Sequence, residues 1–206
     1  MKVRLHLLGG IVAALALLVP IAAQQPASLD GPTTKEPWRF RAVLQTQGQD
    51  AGLQGVAEVV IERWSSDAER KSLVDLLAGT TLKTGGQDKL LRALQNVKPR
   101  TGFIKLPNSL GWDLRYSRDN VQPDGTRQIV IATDKPVSFA AAATAAESTD
   151  YPFTILEMRM GANNKGEGRM LARSAITTKD GRLQLENYGN EPIKLSEITQ
   201  EIKKKK

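Results

Sequence analysis

At 206 residues, with 40% hydrophobic and 25% charged side chains, the chain has ordinary globular composition and enough length for one domain with a full core. It has no cysteine and one histidine, His6, which excludes thiolate nucleophiles, disulfides and Cys-ligated metal sites, and leaves no imidazole outside the first ten residues. The net charge of +7 belongs to the ends: it falls to +5 without Lys2 and Arg4, and to +1 without Lys203 to Lys206 as well, so the body is nearly neutral.

In chain order, Lys2 and Arg4 precede a 17-residue apolar run from Leu7 to Ala23, the pattern of an export signal spanning residues 1–23. Cleavage after Ala23 would leave 183 of the 206 residues, with neither Cys nor His. Ile21 stands where cleavage favours a small residue, so retention as an uncleaved anchor is the alternative, although the run is short for a span and holds Gly9, Gly10 and Pro20. Export implies a periplasmic or secreted protein, with no stable membrane insertion after cleavage and no nucleic-acid partner. Residues 24–37, rich in Pro, Gly and polar side chains, read as a flexible leader. Residues 38–202 form the expected single β-rich domain, and 203–206 a basic tail whose four lysines read as a solvated end.

From Trp38 the hydrophobic period is two: Trp38, Phe40, Ala42 and Leu44 alternate with Arg39, Arg41, Val43 and Gln45. A second strand lies within 53–64. The period then changes. Ser66 to Glu69 has capping-box spacing, and Leu73, Leu76 and Leu77 follow as a helical stripe that Gly79 stops. A second helix over 87–97 carries Leu90, Leu91, Leu94 and Val97, with Pro99 ending it. Further strands are predicted at 102–106, 112–117 and 128–131; the unbroken apolar run of the last predicts burial on both faces. Alanine-rich 138–147 reads as a helix capped by Ser138. Strands at 153–160, 169–178, 182–188 and 193–199 complete the set, with turn residues between them. About nine strands with short connections require antiparallel pairing. The predicted class is therefore mainly β (α+β): a curled antiparallel sheet, closed as a barrel or split as a sandwich, with an inserted pair of amphipathic helices over an open end or face.

The strongest candidate ligand-binding group is Asp113, Arg115, Tyr116 and Arg118. Strict alternation would put Asp113, Arg115 and Ser117 on one face and Trp112, Leu114 and Tyr116 on the other. A charged row aimed into a lumen would grip a carboxylate, phosphate or sugar; a solvated outer face gives the same pattern. Phe153, Leu156, Met158 and Met160 fit either a lipid-like pocket or core packing, the commoner outcome. The glycine-rich stretch 161–168 lacks the Gly-Lys-Ser/Thr ending of a phosphate loop and reads as a hairpin. Once cleavage removes His6, acid–base chemistry would fall to paired carboxylates with Tyr or Lys beside them; Glu58, Glu62, Asp113, Glu157 and Glu186 lie on predicted strands. No calcium-loop or other metal pattern is present, and no cofactor is implied.

Three strings, Ile61-Glu62-Arg63-Trp64-Ser65, the segment from Leu106 to Tyr116 (LPNSLGWDLRY) and Leu185-Glu186-Asn187-Tyr188-Gly189, resemble a group of exported, uncharacterised bacterial proteins of acidobacterial type. The resemblance implies export and a single domain and carries no catalytic residue. The expected function is a non-catalytic binding or interaction module of the cell envelope, taking a small ligand or envelope component. The alternative is a carboxylate-based hydrolase or lyase acting on an envelope or extracellular saccharide.

Overall fold

The computed structural model describes residues 31–46, 54–78, 86–107, 109–137, 150–179, 182–187 and 192–201. The stretch read as an export signal, the first part of the expected leader, the helix expected at 138–147 and the lysine tail lie outside them. The strands are β1 (Trp38–Gln45), β2 (Gln54–Ile61), β3 (Gly102–Lys105), β4 (Trp112–Val121), β5 (Arg127–Thr133), β6 (Phe153–Met160), β7 (Lys165–Lys179), β8 (Arg182–Asn187) and β9 (Ile193–Glu201). Two helices, α1 (Asp67–Leu77) and α2 (Gly86–Gln95), sit between β2 and β3.

Each of β1 to β7 pairs antiparallel with the next, and β9 pairs with both β7 and β1, so eight strands close a barrel in up-and-down order. Closure decides between barrel and sandwich. It depends on β7, 15 residues long, whose first half bonds β9 on one side and β6 on the other. Beyond Met170, β8 replaces β9 along the same edge and stands outside the ring as an extra strand. Gly166 and Gly168 permit the β6–β7 contact, because a methyl group on either would run into the carbonyl of Arg159 or Glu157.

Alternate residues fill the lumen. Phe40, Leu44, Ile61, Ile104, Leu114, Ile129, Ile131, Leu156, Met158 and Met160 are all fully buried in one apolar cluster. The methionines of β6 are therefore core and not a lipid pocket. A second cluster lies on the outer wall, where Leu77, Leu90 and Leu94 of the helices meet Ala132, Phe153, Ile155 and Leu171. This helical cover buries both faces of β5: Ile129 and Ile131 point in, while Ala132 and half-buried Val130 point out under the helices.

The α1 capping box forms as the spacing predicts. Ser66 Oγ accepts from the Glu69 amide at 3.1 Å, and the Glu69 carboxylate accepts from the Ser66 amide at 2.7 Å. The helical stripe differs in detail from the expectation. Leu77 is buried and Leu73 partly so, but Leu76 is 38% exposed, because α1 leans on the barrel along one narrow edge. On α2, buried Gln87 acts as a substitute strand. Its amide donates to the Ile176 carbonyl at 2.6 Å and accepts from the Ile176 amide at 3.0 Å, where β7 has outrun β6.

Candidate functional site

The alternation expected for β4 fails in its middle. Leu114 pairs with Thr133 but Tyr116 pairs with Ala132, so one extra residue is inserted between them as a β-bulge. Directly opposed residues share a face. Tyr116 therefore lies outside with Ala132 and packs on the helical pair, whereas Ser117, opposite Ile131, turns to the barrel side and is fully buried. This corrects both assignments. Asp113, Arg115, Tyr116 and Arg118 do share a face, the outer one, and none points into the lumen.

Ser117 is part of a buried polar knot. Its carbonyl accepts from the Ser65 amide at 2.8 Å, its amide donates to Ser65 Oγ at 3.1 Å, and its hydroxyl meets Thr101 Oγ1 at 2.9 Å. These bonds fasten the connections before α1 and after α2 to the barrel wall.

The outer face of β4 is neither a solvated row nor an open ligand grip. Arg115, 19% exposed, reaches Asp113 and Asp134 at 3.2 Å each, and Asp134 is 8% exposed. Its Nη1 also donates to the Val97 carbonyl at 3.4 Å. Arg100 bonds Asp113 at 2.9 Å and Glu62 through Nε and Nη2. Glu62, Arg100, Asp113, Arg115 and Asp134 thus form a chain of alternating sign that ties β2, β3, β4 and β5 together. The bonds to Glu62 first, and then to Asp113, raise the Arg100 pKa and hold the guanidinium charged. Arg118 pairs with Asp67, the first residue of α1, at 2.7 Å across the surface. Tyr116 is held neutral: burial raises its pKa above the usual 10.0, opposed by the nearby Arg118 and Arg70. The four predicted residues are brought together, but their charges are spent on one another and on the helices.

The lumen's mouth at the β4–β5 hairpin end is also filled. Arg127 donates to Asp119 Oδ2 at 3.0 and 2.6 Å and to Gln200 at 3.3 Å, and its guanidinium lies 4.3 Å from the Trp38 ring centroid. Trp64 meets Trp38 edge-on at 5.5 Å. Pro32 of the leader is buried, and Gly31 approaches the Trp64 ring closely. The second oxygen of Asp119 is buried without a hydrogen-bond partner among the described residues.

The carboxylates weighed for acid–base chemistry are each engaged: Glu58 with Arg39 at 2.8 Å, Glu157 with Arg169 at 2.7 Å, and Glu186 with the Thr177 hydroxyl at 3.4 Å. Glu62 and Asp113 belong to the chain described above. Among the described residues, the two acids with displaced pKa values both move down: Glu69 through its bond to Arg63, and Asp124 through its bonds to Thr126. A general acid needs the opposite displacement. No group of three or more His, Cys, Asp or Glu is placed to share a metal ion among the described residues.

One concave feature was not anticipated. An open groove of about 540 Å³ lies on the outer wall over β1, β9 and the start of β7, lined by Arg41, Val43, Val56, Lys165, Glu197 and Thr199, with Ala42 and Ile198 beneath. It forms at a β-bulge in β9. Both neighbours shift register there, and Glu197 takes a left-handed φ of 51°. The sequence offered half the signal, since Arg41 alternates outward on β1; that β7 would bring Lys165 beside it depends on barrel closure. No protein-family model matches the chain, and no curated protein or solved structure shows significant similarity to it.

Proposed function

We propose that the protein is an exported, non-catalytic binding or interaction module of the bacterial cell envelope, periplasmic or secreted, which recognises a small ligand or envelope component on the outer wall of its barrel. One observation carries this reading. The lumen, where barrel proteins that carry or transform a small molecule hold it, is filled by apolar side chains and its described mouth by an arginine–tryptophan cluster. Recognition is left to the outer surface, which the helical pair and the ion chain cover over β4 and β5. The basic-then-apolar amino end supports export.

Fractionation with N-terminal sequencing tests the location. Protein recovered from the periplasm or medium should begin near Gln24; full-length chain confined to the cytosol would overturn export. Incubation with envelope polysaccharides tests the absence of catalysis. Unchanged polymer is expected, and new reducing ends or unsaturated products would establish the hydrolase or lyase instead.

A further inference from the structure

We propose that the groove over β1, β9 and β7 is a binding site for a ligand carrying one anionic group on a short apolar chain, with the anion seated between Arg41 and Lys165 above the Thr199 hydroxyl. The inference rests on the reading of this protein as a binding module and names the class of ligand.

The register supplies the geometry. Thr199 is paired with Arg41 on one side and with Lys165 on the other, so the two cations flank one hydroxyl across three adjacent strands. With strands about 4.8 Å apart, their Cα atoms stand about 10 Å from one another, within reach of two long side chains converging on one anion. Arg41, Lys165 and Thr199 are exposed, between inward-facing neighbours such as Phe40, Ala42 and Ile198. Glu58 lies opposite Arg41 but is bonded to Arg39. Among the described residues, the side chains of Arg41 and Lys165 have no ion-pair or hydrogen-bond partner. They are thus unlike the arginines of the β4 face, which are all neutralised.

The apolar half of the site is Val43 and Val56, which face each other across β1 and β2; Val56 is 44% exposed. An arginine fork, an ammonium and a hydroxyl beside two valines match an amphiphile with a carboxylate or phosphate head. The volume of about 540 Å³ is within the range of small-molecule sites. Glu197, held in a conformation that costs a non-glycine residue energy, places a negative charge at the rim. It opposes the anion and caps the affinity.

Titration calorimetry on the full chain, with decyl phosphate below its micelle concentration, inorganic phosphate and neutral decyl maltoside as probes, tests the site. Decyl phosphate should bind saturably at 1:1, with inorganic phosphate and decyl maltoside each weaker by about tenfold or more. Arg41→Ala and Lys165→Ala should each weaken decyl phosphate binding by about tenfold, the scale of one charge-assisted hydrogen bond. Glu197→Gln should tighten it severalfold, and Val56→Asp should remove the advantage over inorganic phosphate. All four positions are exposed, so denaturant midpoints near that of the wild type will show that the fold persists. Absence of saturable binding overturns the proposal, as does binding unchanged in both cation variants. In the second case the ligand sits elsewhere and the module reading survives; export is decided separately, by the N-terminal sequence.

Discussion

Arg115→Ala measures what the ion chain on β4 contributes. At 3.2 Å and an effective dielectric constant near 20, each of its two contacts represents roughly 5 kcal/mol of Coulomb attraction before desolvation is subtracted. Exposed pairs return at most about 1 kcal/mol of this, whereas removing one partner of a buried pair costs about 3–5 kcal/mol. Arg115 stands between the two limits at 19% exposure, but the partner it would abandon, Asp134, is 8% exposed. The Val97 carbonyl would lose a donor as well. The expected loss is about 2 kcal/mol. For a domain of this size that lowers the melting temperature by about 4–8 °C, and the urea midpoint should fall with an unchanged slope. Arg100→Ala, at 39% exposure, should cost about 1 kcal/mol or less. The double variant Arg115→Ala, Asp134→Ala should lose less than the two single losses combined, because it leaves no stranded carboxylate. A change within about 0.5 kcal/mol for Arg115→Ala would refute the reasoning and return β4 to the status of a solvated face.

Three further outcomes follow from the packing and the titrating groups. Leu94→Ala should destabilise by about 2–5 kcal/mol because Leu94 is buried between α2 and the barrel, while Leu76→Ala, at 38% exposure, should cost under about 1 kcal/mol; denaturant midpoints of the two variants rank the positions. Glu69 has its folded pKa depressed below 4.5, so its contribution is complete above that value and is lost as pH falls through the folded pKa; the stability gap between wild type and Glu69→Gln should close under acid, and Ser66→Ala should cost about 1 kcal/mol at neutral pH. Tyr116 has its folded pKa raised above 10.0, so its contribution is present below that value and is lost as pH rises through the folded pKa; absorbance at 295 nm should show a late ionisation step that Tyr116→Phe removes.

Period and punctuation in the chain determined most of the local structure. Alternation from Trp38 to Gln45 marks β1, the Ser66–Glu69 spacing marks the start of α1, and the apolar run at Ile129 to Ile131 marks a strand covered on both sides. All three are dictated by contacts within a few residues or by the demand to bury one face, so they are written where they act. The sequence alone also settles the absence of cysteine and the near-neutral body. Tertiary structure decided the rest. Strict alternation on β4 broke at the bulge between Leu114 and Tyr116, because the strand must fit β5 and the helical pair at once, and that exchanged the faces of Tyr116 and Ser117. Leu76 has the spacing of a core residue, yet α1 buries Leu77 and part of Leu73 against the outer wall and leaves Leu76 exposed. Arg115 looked like either a ligand grip or a surface charge; its partner Asp134 lies on the far side of a hairpin, and only strand pairing brings the two within 3.2 Å. The groove is the plainest case. Arg41 and Lys165 are 124 positions apart and meet because β9 returns to lie between β1 and β7, which is a consequence of closing the ring and leaves no mark in either local sequence.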